Sequence, residues 1–253
     1  MSDLTLGEVI NGLVEANTSR LNTSLPGVIV KVHQDRFGVF VDVQPSIHLL
    51  AETGETAARS VVLNIPVTMP LSSTGGLQFE LNVGDPVLLV FSQRGLDTWK
   101  SGDGKPNAPS DRRMFDPRDC IAIPCVFPKA TTPANPNKHT NSHSSSDVVL
   151  VHNLGKSNEV EIRLKKSGDV VVNTAGSVTV NSNTTTVNAS SATVNATTTI
   201  NGNTTINGTL VVSDSVTTPE VVAQTSLTVQ GKEMHNHVHG GVEPGISNTG
   251  VPV

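Results

Sequence analysis

A short phrase recurs through the second half of this chain: an aliphatic residue followed by asparagine. It occurs six times, at intervals of 8, 7, 7, 6 and 6 residues, and threonine precedes the last five occurrences. No Asp, Glu, Lys or Arg lies between residues 170 and 213. Repetition at a short period is typical of quasi-one-dimensional structures. The occurrences are Val172-Asn173, Val180-Asn181, Val187-Asn188, Val194-Asn195, Ile200-Asn201 and Ile206-Asn207.

Three structures compete for this repeat. A coiled coil needs two apolar positions per heptad and good helix formers, whereas Thr, Asn, Val and Gly are poor ones. Disorder is common in Ser/Thr/Asn-rich tracts, but the regular aliphatic positions and the β-branched threonines argue against it. A β-helix is the third possibility, built by one chain coiling on itself or by three chains winding around a common axis.

The size of the core favours three chains. Each repeat brings about one large aliphatic side chain, whose burial contributes roughly 1.5–3 kcal/mol, whereas ordering each residue costs roughly 1–2 kcal/mol. Three chains bring three aliphatic side chains to every layer and pair one another's strand edges. A single-chain hexapeptide coil ranks second, because the six-residue run is short. The sequence therefore predicts an intertwined, trimeric triple-stranded β-helix over residues 148–234.

Two ordinary strands are predicted at the start of this shaft, over 148–152 and 160–164. The second alternates apolar and charged residues, so one of its faces is expected to be wet. A linker rich in Pro, Ser, Thr and Asn precedes them over 128–147. Its histidines, His139 and His143, are expected to be solvated loop residues.

The first half of the chain predicts a helix and a small barrel. Residues 3–22, within an N-terminal segment 1–25, place apolar residues at helical spacing, and Thr5 with Glu8 resembles a capping box. The apolar stripe must pack against the next domain or a sibling helix. Residues 26–127 carry five strands without long helices, which favours an antiparallel, OB-like barrel. The strands are predicted at 27–32, 38–43, 61–67, 86–91 and 120–123, the fourth as a fully buried strand.

Composition restricts what this barrel binds. An oligonucleotide-binding barrel needs exposed aromatic and basic residues, but aromatics are 3% of the chain and the net charge is −5. The barrel is therefore interpreted as a structural module, with no nucleic-acid partner. Cys120 and Cys125 are expected to be small core residues of a strand rather than a disulfide or a metal site.

The last segment, 235–253, contains three alternating histidines. In an extended segment His235, His237 and His239 point to one side, because a strand has period two. Three parallel chains with two histidines each bring six imidazoles to one axis, an octahedral set that fits Fe(II) or Ni(II) better than tetrahedral Zn. His237 and His239 are the predicted ligands, because Gly240 and Gly241 directly follow and let three backbones converge. His235 is a possible ligand, and the alternative is that all three are exposed histidines at a chain end.

These features resemble a known family, the central spike or baseplate assembly protein V-like membrane-piercing proteins of contractile-tailed bacteriophages. The most specific resemblance is the run from His237 to Val242 together with Ser247-Asn248-Thr249-Gly250. Family members carry a His-x-His tip motif followed by a similar glycine-rich closure. The segment from Val83 to Arg94 is similar to their N-terminal OB-fold domain. His235 is an addition to the family pattern.

The resemblance implies a homotrimer with one iron ion (Fe²⁺) held by six histidines at its tip. It implies a structural protein, not an enzyme, that docks to the tail hub through the barrel and breaches the host outer membrane. The protein would be made in the host cytoplasm and reside at the baseplate tip of the virion, with no small-molecule substrate. The alternative function is a trimeric host-binding fibre or adhesin without a piercing role.

Overall fold

The computed structural model describes residues 5–18, 21–35, 38–51 and 53–234. It divides the chain into two compact units, 1–181 and 182–253. The first unit holds two α-helices, a five-stranded and a three-stranded β-sheet, and a two-stranded ladder; the second holds a long extended stretch and a small hairpin. The described part of the chain is mostly β, which confirms the all-β class with an N-terminal helix. None of the described helices is long and apolar enough to cross a membrane.

Helix α1 spans Leu6–Thr18, shorter than the predicted 3–22. The predicted capping box is present: the backbone N–H and the hydroxyl of Thr5 donate to the Glu8 carboxylate at 2.7 and 2.8 Å, and the Glu8 N–H donates back at 3.3 Å. These bonds satisfy donors that the first helical turn leaves free. No residue of α1 is buried, so its apolar stripe does not pack on the barrel. Packing against a sibling helix stays a prediction.

A five-stranded sheet forms the main body of the first unit. It contains β1 (Ser24–Asp35), β2 (Gly38–Pro45), β5 (Val62–Pro66), β6 (Pro86–Phe91) and β7 (Cys120–Pro124). They pair in the order β5-β2-β1-β6-β7, every neighbouring pair antiparallel. A parallel bridge from Val67 to Ala122, with the Thr68 N–H donating to the Ala122 carbonyl at 2.9 Å, brings the two edges together. All five strands were predicted from the sequence, as was the curled, barrel-like sheet; the OB-fold assignment stays a prediction.

The core of this sheet is aliphatic. Val87, Leu89 and Phe91 of β6 point inward, whereas Val90 is 38% exposed, so the prediction that β6 is buried on both faces was wrong. A strand in a small barrel has only one inner face, because side chains alternate across the sheet. The side chains with no exposed surface are Ile29, Val41, Val43, Ile65, Val87, Leu89, Cys120 and Ala122.

Short elements complete the body. Strands β3 (Leu49–Leu50) and β4 (Thr56–Ala57) form a two-stranded ladder, and a short helix, α2, spans Asp97–Ser101. The two cysteines are free thiols and behave differently. Cys120 is a core residue, and burial raises its pKa to about 11. Cys125 follows β7 and is exposed, so the prediction of two core cysteines was right for only one of them.

A second sheet begins at the end of the predicted linker. It contains β8 (Val148–His152), β9 (Val160–Leu164) and β10 (Val170–Thr174), in the antiparallel order β10-β9-β8. The bounds of β8 and β9 are those predicted from the sequence. Strand β10 carries the first aliphatic-Asn phrase of the repeat. Hereafter we call β8, β9 and β10 together the collar sheet.

In the second unit, residues 182–227 contain no assigned strand, and their side chains are exposed. Val187, for example, is 73% exposed and Ile200 63%. A two-residue turn at Gln230 and Gly231, both at positive φ (51° and 79°), then joins β11 (Thr228–Val229) to β12 (Lys232–Glu233). Positive φ at both central positions is the type I′ geometry that suits a tight hairpin. A triple-stranded β-helix needs strands from other copies, so it stays a prediction.

Candidate functional site

The predicted metal ligands His235, His237 and His239 lie outside the described residues. The description ends at Met234, whose N–H donates to the Leu227 carbonyl at 2.7 Å across the β11–β12 hairpin. The histidine tip therefore remains a prediction from the sequence. Two other features of the described chain bear on function, and both belong to the collar sheet.

The first feature is an apolar face that the single chain leaves exposed. Ile162 lies opposite Leu150 on β8 and Val172 on β10, and Leu164 lies opposite Val148 and Val170 in the same way. With Val160 these side chains form a patch, which we call the apolar face. Their exposed fractions are 67% for Val148, 54% for Leu150, 38% for Val160, 44% for Ile162, 49% for Leu164, 65% for Val170 and 54% for Val172.

The second feature is the opposite face of the same sheet, which carries charges and is buried. Glu161 is 1% exposed and Arg163 8%. The Arg163 guanidinium donates to Oε1 of Glu161, and the side-chain amide of Asn173, directly across the ladder, donates to the same oxygen at 2.6 Å. One face of β9 is wet, as predicted, but it is the aliphatic face; the charged face lies inside.

The segment predicted as a linker covers this charged face. Arg163 donates to the Ser142 carbonyl at 3.2 Å, and the Lys166 N–H donates to the Asp147 carboxylate at 3.0 Å. A short 3₁₀ turn, Pro136–Lys138, leads into this contact. The side chain of His139 is only 5% exposed, so the prediction that it is a solvated loop residue was wrong. A polar segment is buried here because the charged strand supplies the partners that its backbone needs.

Glu159, one residue before β9, is held by the backbone. Its Oε2 accepts from the Gly155 N–H at 2.5 Å and from the Thr140 N–H at 3.1 Å. Burial alone would raise the pKa of Glu159, but these N–H groups, that of Asn141 and the nearby His139 together lower it below its usual value. Only glycine fits at 155, since φ is +72° and a Cβ would lie 2.7 Å from the Lys138 carbonyl.

The cover and the strand bring three potential metal ligands together. His139, Glu159 and Glu161 each offer one ligand atom, and these atoms lie within 4.8 Å of one another. The ring of His143 packs edge-on against that of His139, with 4.5 Å between their centroids. Sequence reasoning missed this cluster. The available signal was two glutamates at i and i+2, following a His-x₃-His segment.

Two known families match separate parts of this chain. Residues 25–125, which contain the five-stranded sheet, match the phage protein Gp138 N-terminal domain. Residues 234–253, which contain the three histidines, match the GpV apex motif. A search of curated proteins found no match. Both matched families are structural families of phage spike and baseplate proteins, and together they confirm the resemblance of this chain to the V-like central spike proteins of phage tails.

Proposed function

We propose that three copies of this chain form the spike at the tip of a phage baseplate, and that the spike pierces the host outer membrane when the tail contracts. The observation that carries the proposal is the apolar face of the collar sheet, which one chain leaves in water. The match of residues 234–253 to an apex motif supports the location of the tip.

The apolar face requires a partner. Its seven aliphatic side chains are about half exposed, and covering the exposed half of each contributes roughly 0.7–1.5 kcal/mol, or about 5–10 kcal/mol per chain. Contiguous patches of this kind on soluble proteins mark interfaces. A second copy is the natural partner, because the repeat directly after β10 leaves its own aliphatic side chains exposed in the same way.

Three copies complete the structure better than two. Three sheets can form the walls of a prism with their apolar faces turned inward, whereas two flat sheets leave the narrow sides open to water. In the shaft, the extended chain over 182–227 can pair its edges only with neighbouring chains. Three chains also share one central axis, so that the aliphatic residue of each phrase meets its two equivalents.

The tip closes the spike with metal. His237 and His239 from three chains supply six imidazole nitrogens, a donor set that fits one octahedral ion per trimer and suits Fe²⁺ or Ni²⁺ better than Zn²⁺. The family resemblance favours Fe²⁺ over Ni²⁺. His235 remains outside the ligand set. When bound, the ion holds three chain ends where the aliphatic core ends, and ligand bonds of this kind contribute to folding free energy directly.

The shaft suits mechanical entry into a membrane. None of Asp, Glu, Lys or Arg is present between residues 170 and 213. Moving charged groups into an apolar layer is costly, and this stretch of the shaft avoids that cost. The barrel at the other end is the part that docks to the tail hub.

Native mass spectrometry with metal analysis tests the assembly. We expect a trimer with one iron ion, and the variant His237→Ala/His239→Ala should lose the iron and remain trimeric. His48→Ala, which removes an exposed histidine of the first unit, is the matched control and should keep the metal. A folded, metal-free monomer would refute the proposal.

Phage particles carrying the tip variant test the role. We expect normal adsorption to cells and a reduced rate of genome delivery, because the tip acts after attachment. Lost adsorption would instead support the host-binding fibre, and unchanged delivery would exclude a piercing role for the metal tip.

A further inference from the structure

We propose that His139, Glu159 and Glu161 form a second metal site, one in each chain, which binds a divalent transition metal of the Zn²⁺ class beneath the collar sheet. This site is separate from the histidine tip and does not depend on the proposed piercing role. It is built from one chain, whereas the tip requires three.

The ligand atoms are buried and unpartnered. The side chains of His139, Glu159 and Glu161 are 5%, 1% and 0% exposed. Each has one buried polar atom without a hydrogen bond: Nδ1 of His139, Oε1 of Glu159 and Oε2 of Glu161. Buried polar atoms of native proteins nearly always have partners. One cation would satisfy all three atoms together, with the His139 proton carried on Nε2.

The distances allow coordination after a small adjustment. Zn²⁺ lies about 2.0–2.2 Å from nitrogen and oxygen ligands, so neighbouring ligand atoms lie roughly 3–3.5 Å apart. The ligand atoms of the cluster are within 4.8 Å of one another, and Nδ1 of His139 is 3.9 Å from Oε1 of Glu159. The ligand atoms must therefore move about 1 Å closer together to bind the ion.

The surrounding hydrogen bonds orient the carboxylates. The second oxygen of Glu159 accepts from the Gly155 and Thr140 N–H groups, and the second oxygen of Glu161 accepts from Arg163 and Asn173. One oxygen of each carboxylate is thus held and the other remains free. Metal-ligating carboxylates are supported by hydrogen bonds in this way.

A second imidazole and a cavity lie beside the cluster. Nδ1 of His143 donates to the Ser144 carbonyl at 2.8 Å, and Nε2 is buried without a partner. A cavity of about 370 Å³, lined in part by His139, His143 and Asp147, can supply water for the remaining coordination positions. The two glutamates and Arg163 leave one net negative charge, which favours a cation.

The competing occupant is a proton. A protonated His139 beside Glu159 would, together with Arg163, neutralise the negative charge of the two carboxylates without any metal. The two cases differ in metal content, and the test must also remove the contribution of the tip.

The test uses the full chain with His235→Ala, His237→Ala and His239→Ala, so that the tip binds no metal. The protein is stripped with a chelator and titrated with Zn²⁺, with metal counting and calorimetry as readouts. We expect one Zn²⁺ per chain. X-ray absorption at the zinc edge should show at least one imidazole and otherwise oxygen ligands, a result that needs no substitution in the cluster.

Glu161→Gln should lower the affinity for Zn²⁺ at least about 100-fold, and His139→Gln should act in the same direction. Glu55→Gln, at an exposed position of the first unit, should leave the affinity unchanged. Circular dichroism and the mass of the assembly establish that each protein is folded. Absence of bound Zn²⁺ in the folded tip-less protein, sulfur ligands at the zinc edge, or unchanged affinity in both cluster variants would overturn the proposal.

Discussion

The five-stranded sheet and the collar sheet bury opposite kinds of side chain. Both alternate side chains between two faces. In the five-stranded sheet the aliphatic side chains are inside, and Leu89 has no exposed surface. In the collar sheet Glu161 is 1% exposed, while its neighbour Ile162 is 44% exposed. Alternation in the sequence therefore predicts that the two faces of a strand differ. Which of the two faces is buried depends on what other part of the protein covers the sheet.

The two sheets differ in how many chains each needs in order to fold. The five-stranded sheet buries its own core and has what a folding domain needs within one chain. The collar sheet buries its charges under residues 139–147 of the same chain and leaves its aliphatic residues for others. Its stability is therefore expected to depend on protein concentration, as it does for obligate oligomers.

The largest expected effect comes from a charge on the apolar face. Ile162→Asp would place three unpaired carboxylates in the predicted trimer interface, and burying such groups is strongly unfavourable. We expect the trimer to be lost in native mass spectrometry while the five-stranded sheet stays folded. Val30→Asp is the control, since Val30 has a similar exposure, 42%, on β1 of the other sheet. A trimeric Ile162→Asp protein would show that the apolar face is merely a surface.

The next effect concerns the inner, charged face. Arg163→Met removes the partner of Glu161 and leaves a buried carboxylate uncompensated, which costs roughly 3–5 kcal/mol of stability. We expect amide protection in β9 to fall in hydrogen exchange. Lys105→Met removes a partner of Asp103 in an ion pair whose side chains are 80% and 63% exposed, and it should change nothing measurable. Equal behaviour of the two variants would mean that the charged face is wet after all.

A truncation in the five-stranded core should be somewhat less severe. Leu89→Ala leaves a cavity in a packed core and costs roughly 2–5 kcal/mol, read as lost amide protection in β6. Leu63→Ala, at a site on β5 that is 65% exposed, is the matched control and should have a small effect. The loss in Leu89→Ala should be the same at any protein concentration. A strong dependence on concentration would remove the distinction between the two sheets.

The sequence predicted the elements better than their surroundings. The strand bounds of β8 and β9 and the Thr5–Glu8 cap were predicted correctly, because period-two alternation and capping are local. The burial of His139 and Glu161 could not be predicted in this way, since it results from residues 139–147 folding back over β9. Residues far apart in sequence meet there, and no local pattern records that contact. The histidine tip is the reverse case, a local motif whose predicted geometry depends on other chains.

The smallest expected effect is a pH dependence confined to the five-stranded sheet. Asp42 is 9% exposed, and its carboxylate accepts from the Asn64 N–H at 2.8 Å and lies 3.0 Å from Nε2 of His33. Burial alone would raise its pKa, but the Asn64 N–H and His33 together lower it below the ordinary 3.8. The ionised carboxylate therefore stabilises the sheet above pH 3.8, and this contribution is lost as the pH falls further, through the lower folded-state value.

The Asp42→Asn variant should therefore lose less stability than the parent as the pH falls below 3.8. Stability is measured as the urea concentration at which half of the amide protection in β2 is lost. Asn keeps the shape and the acceptor for the Asn64 N–H but has no charge to titrate, so the two curves should converge at the acid end. The groups of the collar sheet titrate identically in both proteins and cancel in the difference. Parallel curves would mean that the pKa of Asp42 is the same in the folded and unfolded states, and that its ionisation does not stabilise this sheet.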